Sequence, residues 1–334
     1  MKKNKNILQQ NLSVAEFYKE IKNLFKVKLL SKQVGFERLI TEQNLHRPGL
    51  ALAGFLELFS YKRIQLFGNT EMKYLSNLSL TKRKKSLSDF FKFDIPCIVI
   101  ANGNKPFDEM LDLSEKHSIP IFGTEFSSTK VVYFFSDFLD DCFAPRQNVH
   151  GSFVDVYGIG MLFIGKSGVG KSEVALDLIE RGHRLVADDV VILTKKGEGI
   201  LMGSGTDLVK HFMEVRGIGI VDVKSMFGVR AIRYQKRLEI VIELEVVDAN
   251  QEYTRTGLDD ETIQFLDVNI PYLKVPIVPG KNLTVICEVI ALNYLLKHYK
   301  YDAAKTFANR LKNLLKKDGG FGKRVVNYFE HDFE

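Results

Sequence analysis

The residues best suited to chemistry run from 165 to 172: Gly165-Lys166-Ser167-Gly168-Val169-Gly170-Lys171-Ser172. The spacing G-x-x-x-x-G-K-S is that of a phosphate-binding loop. Gly165, Gly168 and Gly170 permit positive φ and let the main chain approach an anion closely. The N–H groups of the loop, including those of Lys166, Ser167 and Val169, then turn inward as a nest for phosphates. Lys171 reaches the β- and γ-phosphates as a point charge, and the Ser172 hydroxyl suits Mg²⁺. Met161–Ile164, just before the loop, is apolar and reads as a strand. Glu173–Glu180 carries apolar residues at helical spacing, so the phosphates would rest on a helix N-terminus.

Two carboxylates, Asp188 and Asp189, follow Lys171 by 17 and 18 residues at the end of an apolar stretch. Neighbouring strand residues point to opposite faces, so one Asp faces the phosphates while the other supports a turn. The Asp that faces the γ-phosphate is placed to act as general base on an incoming hydroxyl. An Asp pair also suits a solvated turn, and the loop beside it is what favours the chemical role. Further on, Glu214 is an oxygen ligand of the kind Mg²⁺ prefers, and Arg216 a phosphate clamp. His150, Arg255 and Lys281 are isolated cationic or titratable groups that by themselves read equally as structural or solvated. The loop does not name an acceptor. A protein hydroxyl, a small metabolite, or nucleotide binding without transfer all remain compatible with it.

These groups need elements to hold them. Ser13 and Glu16 have the spacing of a capping box, with an amphipathic helix to about Phe25. Leu50–Phe59 reads as an apolar helix, Arg63–Phe67 as a strand and Thr70–Leu78 as a helix, while Ser79–Ser88 reads as a polar, basic connector. Strands at Cys97–Ala101 and Ile119–Phe122 and helices at Pro106–His117 and Ser128–Ala144 follow. That alternation points to a small α/β domain with a mostly parallel sheet. Pro145-Arg146-Gln147-Asn148 marks a domain boundary, beyond which the pattern shifts toward β. Val149–Val156 and Gly160–Ile164 read as a hairpin around Tyr157-Gly158. Leu238–Val247 reads as a strand, Ile270–Val278 as extended, and Thr284–Leu296 and Ala303–Lys316 as helices.

The 334 residues suffice for two domains, and 45% hydrophobic with 26% charged residues is ordinary globular composition. A net charge of +6 suits anionic ligands without indicating nucleic acid. Cys97, Cys142 and Cys287 are widely spaced with no zinc-type pattern, which fits a reducing compartment. Residues 1–7 lack a signal-peptide core, and no apolar run is long enough to span a membrane. The expected location is cytoplasmic.

Several runs, taken together, resemble the HPr kinase/phosphorylase family. They are His150-Gly151, Asp155-Val-Tyr-Gly158, the loop, Arg181–Asp189, Glu214–Val223 and Pro279-Gly-Lys-Asn-Leu283, with Arg47–Leu50 and Arg63–Glu71 in the N-terminal half. The resemblance covers nearly the whole chain. It implies an ATP- and Mg²⁺-dependent kinase of a serine in HPr that also removes the phosphoryl group with inorganic phosphate, giving pyrophosphate. By resemblance, Lys171 and the loop hold the nucleotide, Ser172 and Glu214 serve Mg²⁺, and Asp189 is the base, or the acid in reverse. His150 and Arg255 match active-site positions, residues 213–222 match the stretch tied to both activities, and 276–281 the stretch tied to dephosphorylation. Lys281 stands where the family usually has Arg, a point charge in place of a planar fork. The resemblance also implies a homo-hexamer, with HPr as partner and neither nucleic acid nor membrane. The fold expected is α/β throughout. Residues 1–145 form a small parallel-sheet domain, regulatory or structural. Residues 146–334 form a P-loop-containing kinase domain with a mixed sheet.

Overall fold

The structure is a computed structural model and describes residues 6–7, 11–206, 209–246, 261–278 and 280–318. Two compact units divide the chain at Pro145 and Arg146, with Asn6 grouped with the second unit.

The first unit is built on a sheet of β1 (Lys28–Leu29), β2 (Gln65–Phe67), β3 (Ile98–Ile100) and β4 (Ile121–Gly123), in spatial order β1–β4–β3–β2. The pairs β2–β3 and β3–β4 are parallel, and β1 adds an antiparallel edge. Alternate strand residues feed two cores. Leu66, Val99 and Phe122 pack with α1 (Val14–Leu24) and the long helix Ser128–Phe143. Phe67, Ile98, Ile100 and Ile121 pack with the helices Asn69–Asn77, Leu80–Phe91 and Asp108–His117. The capping box at Ser13 and Glu16 is present.

Two local expectations in the first unit fail for identifiable reasons. The basic stretch after Ser79 is a helix, Leu80–Phe91, capped by Ser79 and burying Leu87, Phe90 and Phe91. Its lysines form the solvated face of an amphipathic element with few apolar positions, while Arg83 packs inward on Phe107 and pairs with Glu109 at 2.9 Å. Conversely, the helix expected over Leu50–Phe59 stops after one turn at Leu52, and Gly54 at φ +100° takes the chain out of it.

In the second unit, a six-stranded mixed sheet runs β8–β6–β7–β14–β16–β15. These are β6 (Ser152–Val156), β7 (Ile159–Gly165), β8 (Arg184–Ala187), β14 (Ile240–Val246), β15 (Thr262–Phe265) and β16 (Val268–Ile277). β7, β14 and β16 are mutually parallel neighbours, and the other pairs are antiparallel. A second, antiparallel sheet contains β5 (Arg146–His150), β9 (Val190–Lys196), β10 (Ile200–Ser204) and β13 (Gln235–Arg237) in the order β5–β9–β10–β13. One face of the mixed sheet packs on this second sheet through Phe153, Leu162, Val191 and Leu201. The other face packs on the helix Lys171–Glu180 and on α8 (Leu283–His298) through Phe163, Leu178, Cys287 and Ala291. Each fully buried Phe, Leu or Val side chain among these contributes about 1.5–3 kcal/mol.

The stretch expected as one strand, 149–156, is in fact two strands in two sheets. Gly151 is the corner, and a Cβ there would lie 2.4 Å from the Phe163 carbonyl oxygen. The hairpin around Tyr157 and Gly158 is as expected, both residues adopting positive φ. Among the described residues no helix is long and apolar enough to cross a membrane.

Candidate active site

The phosphate-binding loop leaves β7 at Gly165 and enters α6 (Lys171–Glu180), whose N-cap is Gly170. Gly165, Gly168 and Gly170 sit at φ +143°, +77° and +101°. At Gly168 the need for glycine is twofold. Its φ is left-handed, and a Cβ would lie 2.4 Å from Nη2 of Arg216, whose guanidinium covers the loop. Lys171 is 7% exposed, and its ammonium donates to the carbonyls of Lys166 and Gly165 at 3.2 and 3.4 Å. These carbonyls are modest partners for a full charge, so an incoming phosphate can claim it.

Opposite the loop lies the turn between β8 and β9. Asp188 is 4% exposed and accepts from the hydroxyls of Ser152 at 2.5 Å and Ser172 at 3.0 Å. Burial raises its pKa above the ordinary 3.8, opposed by the two seryl hydrogen bonds and by the main chain of Asp189 and Glu214. Asp189 adopts φ +64°. That left-handed turn breaks the strand alternation and swings its side chain out beside His150, at the end of β5. His150 Nδ1 lies 2.9 Å from the Asp189 carbonyl oxygen and 3.0 Å from Oδ1. With its proton on Nδ1, the ring donates to both oxygens and orients the carboxylate.

The third wall is β11 (Phe212–Val215), paired with β12 (Gly219–Asp222). Met213 and Val215 are buried, and the alternation presents Glu214 and then Arg216 to the loop. A cavity of about 150 Å³ is thereby closed between Ser167, Gly168, Gly170, Lys171 and Ser172 on one side and His150, Asp188, Asp189, Glu214 and Arg216 on the other.

Of the residues singled out in the sequence, His150, Ser167, Gly168, Gly170, Lys171, Ser172, Asp189 and Glu214 therefore share one cavity. Gly165 and Lys166 shape the loop and hold Lys171 through their carbonyls without lining it. Val169 and Lys281 line a neighbouring cavity instead. Arg255 lies outside the described residues. Sequence reasoning passed over Asp188 as the partner of Ser172, and Ser152 altogether. No motif marks Ser152; it is recognised only once Gly151 folds β6 back beneath Asp188.

Two family descriptions match the chain: HPr Serine kinase N terminus over residues 12–139 and HPr Serine kinase C-terminal domain over residues 141–311. The HPr kinase/phosphorylase of Chloroherpeton thalassium is 51% identical, with 99% of each chain covered. That of Prosthecochloris aestuarii is 48% identical, covering 99% of this chain and 98% of its own. The solved structure of the Hpr(Ser) kinase/phosphatase from Coxiella burnetii is 34% identical, covers 48% of this chain and 98% of its own, and has a TM-score of 0.43. With both halves matched and near-complete relatives at about half identity, the chain belongs to the HPr kinase/phosphorylase family.

Proposed function

We propose that this protein phosphorylates a serine of the phosphocarrier HPr with ATP and removes that phosphoryl group with inorganic phosphate, releasing pyrophosphate. One observation carries the reading: a single cavity joins the phosphate-binding loop to a carboxylate oriented by a histidine. A phosphoryl group held by Lys171 and the loop amides faces Asp189. In the forward direction Asp189 accepts the seryl proton as the hydroxyl attacks the γ-phosphorus and the bond to ADP breaks. In reverse, phosphate oxygen attacks phosphoserine, Asp189 returns the proton to the seryl oxygen, and pyrophosphate leaves. Both directions exchange a phosphoryl group between a seryl and a phosphate oxygen, so one site serves both. Asp189 has a side chain 62% exposed in the free protein. Docking of the acceptor is what removes water from it and strengthens its interactions.

Ser172, Asp188 and Glu214 offer a hydroxyl and two carboxylates, a donor set that fits Mg²⁺ held jointly with substrate phosphates. The ion would neutralise charge on the phosphoryl oxygens. We place the site wholly in the unit that starts at Arg146 and assign the first unit a regulatory or structural role. A cytoplasmic location is in keeping with the buried thiols of Cys97 and Cys287.

A homo-oligomer, a hexamer by the family resemblance, is supported by α8. Cys287, Glu288 and Ala291 face the core, yet Val285, Val289, Leu292 and Leu296 on the other side are 41–57% exposed. A helix apolar all round calls for a second partner.

The acceptor is tested by incubating the protein with ATP, Mg²⁺ and either HPr or a panel of small metabolites. Phosphoserine on HPr is the expected product. Label on a metabolite alone would replace the proposal with a metabolite kinase.

A further inference from the structure

Two of the runs that set this sequence apart, Asp155-Val-Tyr-Gly158 and the start of Arg181–Asp189, take no part in the catalytic cavity. They meet at the other end of β8 and α6, around a separate cavity of about 280 Å³. Asp155, Tyr157, Arg181, His183, Arg184 and Arg233 line it. The volume is just under the roughly 300–1,000 Å³ of ligand pockets, so it suits a small molecule.

Two groups there are left over once the internal pairs are made. Arg181 is taken up by Glu288, at 2.9 and 2.6 Å. Arg233 is taken up by Asp155, donating to Oδ2 at 2.6 Å. Asp155 is 5% exposed, and its other oxygen, Oδ1, is buried with no hydrogen-bond partner among the described residues. A buried carboxylate oxygen without a donor has given up its hydration for nothing. Arg184 is the reverse case. Its side chain is exposed and has no ion-pair partner among the described residues. It pairs directly with Asp155 across β8 and β6, which sends both side chains to one face with Cβ atoms about 4.5–5.5 Å apart. A free anionic acceptor and a free cationic fork therefore stand side by side in one cavity.

Few small molecules answer both. The best donor for Oδ1 is cationic, because a charge-assisted bond offsets the burial of a carboxylate most fully. The Arg184 guanidinium matches a carboxylate, which it can hold through two parallel N–H bonds. The cross-strand spacing keeps the two ligand groups close together. An inorganic dianion would satisfy Arg184 but bring surplus negative charge against Asp155 and leave Oδ1 without a donor. The ring of Tyr157, edge-on to His183 with centroids 4.6 Å apart, adds an apolar wall for a side chain. We infer that this cavity binds a free α-amino acid, its ammonium on Asp155 Oδ1 and its carboxylate on Arg184.

The test is calorimetry on the full chain with each of the common α-amino acids, at up to about 10 mM. At least one should bind, one molecule per chain. The amide of that amino acid, which lacks the carboxylate, and its deaminated acid, which lacks the ammonium, should each bind about tenfold more weakly or worse, the scale of one lost charge-assisted bond. Arg184→Gln should weaken the amino acid to the same degree while ATP binds as to wild type, which certifies the fold of the variant. Wild-type protein that binds none of the amino acids overturns the inference. So does an amino acid that binds Arg184→Gln as tightly as wild type, or whose deaminated form binds equally well.

Discussion

Asp188 is almost fully buried against two seryl hydroxyls, while the adjacent Asp189 reaches solvent beside a histidine. The first is suited to holding Ser172, the second to handling a proton. Asp189→Asn should reduce transfer by about 10²–10⁴-fold, the range of general-base catalysis, while ATP still binds. Asp188→Asn should reduce transfer by about 10–100-fold by removing one of the two carboxylates offered to Mg²⁺. It should also raise stability near neutral pH. The Asp188 pKa is raised in the fold, so its contribution to stability is greatest below the ordinary value of 3.8 and is lost as pH rises through the raised value. Asparagine removes that penalty and still accepts from the seryl hydroxyls. Urea titrations of both proteins at two pH values check the sign: the gap should widen as pH rises. The sequence made the pair legible and not the division of labour within it. Strand alternation suggests opposite faces, but the left-handed φ of Asp189 decides where each carboxylate ends, and nothing in the residue types announces it.

Elements set these side chains through two tight points. Gly151 turns β5 into β6, and Gly168 lies beneath Arg216. Gly151→Ala drives a methyl into the Phe163 carbonyl and should destabilise the second unit by about 1–3 kcal/mol, read from its urea midpoint. The C-terminal end of α6 is tied to α8 by Glu288, which accepts from Arg181 at 2.6 Å and lies 3.0 Å from His183 Nε2. The Arg181 hydrogen bonds, joined by that of His183, hold the Glu288 pKa below the ordinary carboxylate value. A lowered pKa gives stability that is present above about 4.5, the unfolded value, and lost as pH falls through the folded one. Glu288→Gln should flatten that acid limb, and Glu288→Ala should cost about 1–3 kcal/mol by leaving His183, 6% exposed, without an acceptor. At this scale the strand–loop–helix around Lys171 was legible, because an apolar run, a glycine-rich turn and a 3.6-residue period coincide there. The helix after Ser79 was not, since its polar face outweighs the three residues it buries. The corner at Gly151 was invisible because a sheet change leaves no pattern in an unbroken β-type run.

At the scale of the molecule, the residues of the proposed phosphate chemistry all come from one unit, and α8 carries an exposed apolar face. Leu292→Glu puts a charge in the middle of that exposed stripe. It should shift the protein toward smaller species in sedimentation equilibrium without altering ATP binding. The sequence raised an oligomer only by resemblance, because an apolar helix buried on one side and one buried on both have the same composition. The central claim is that one site moves a phosphoryl group in both directions through Asp189. Its most direct measurement follows phosphoserine on HPr, first with ATP and Mg²⁺ and then after excess inorganic phosphate, for wild type and Asp189→Asn side by side. Wild type should add the phosphoryl group and then remove it with stoichiometric pyrophosphate, and the variant should lose both steps together while still binding ATP. A variant that keeps either step at the wild-type rate would contradict the account.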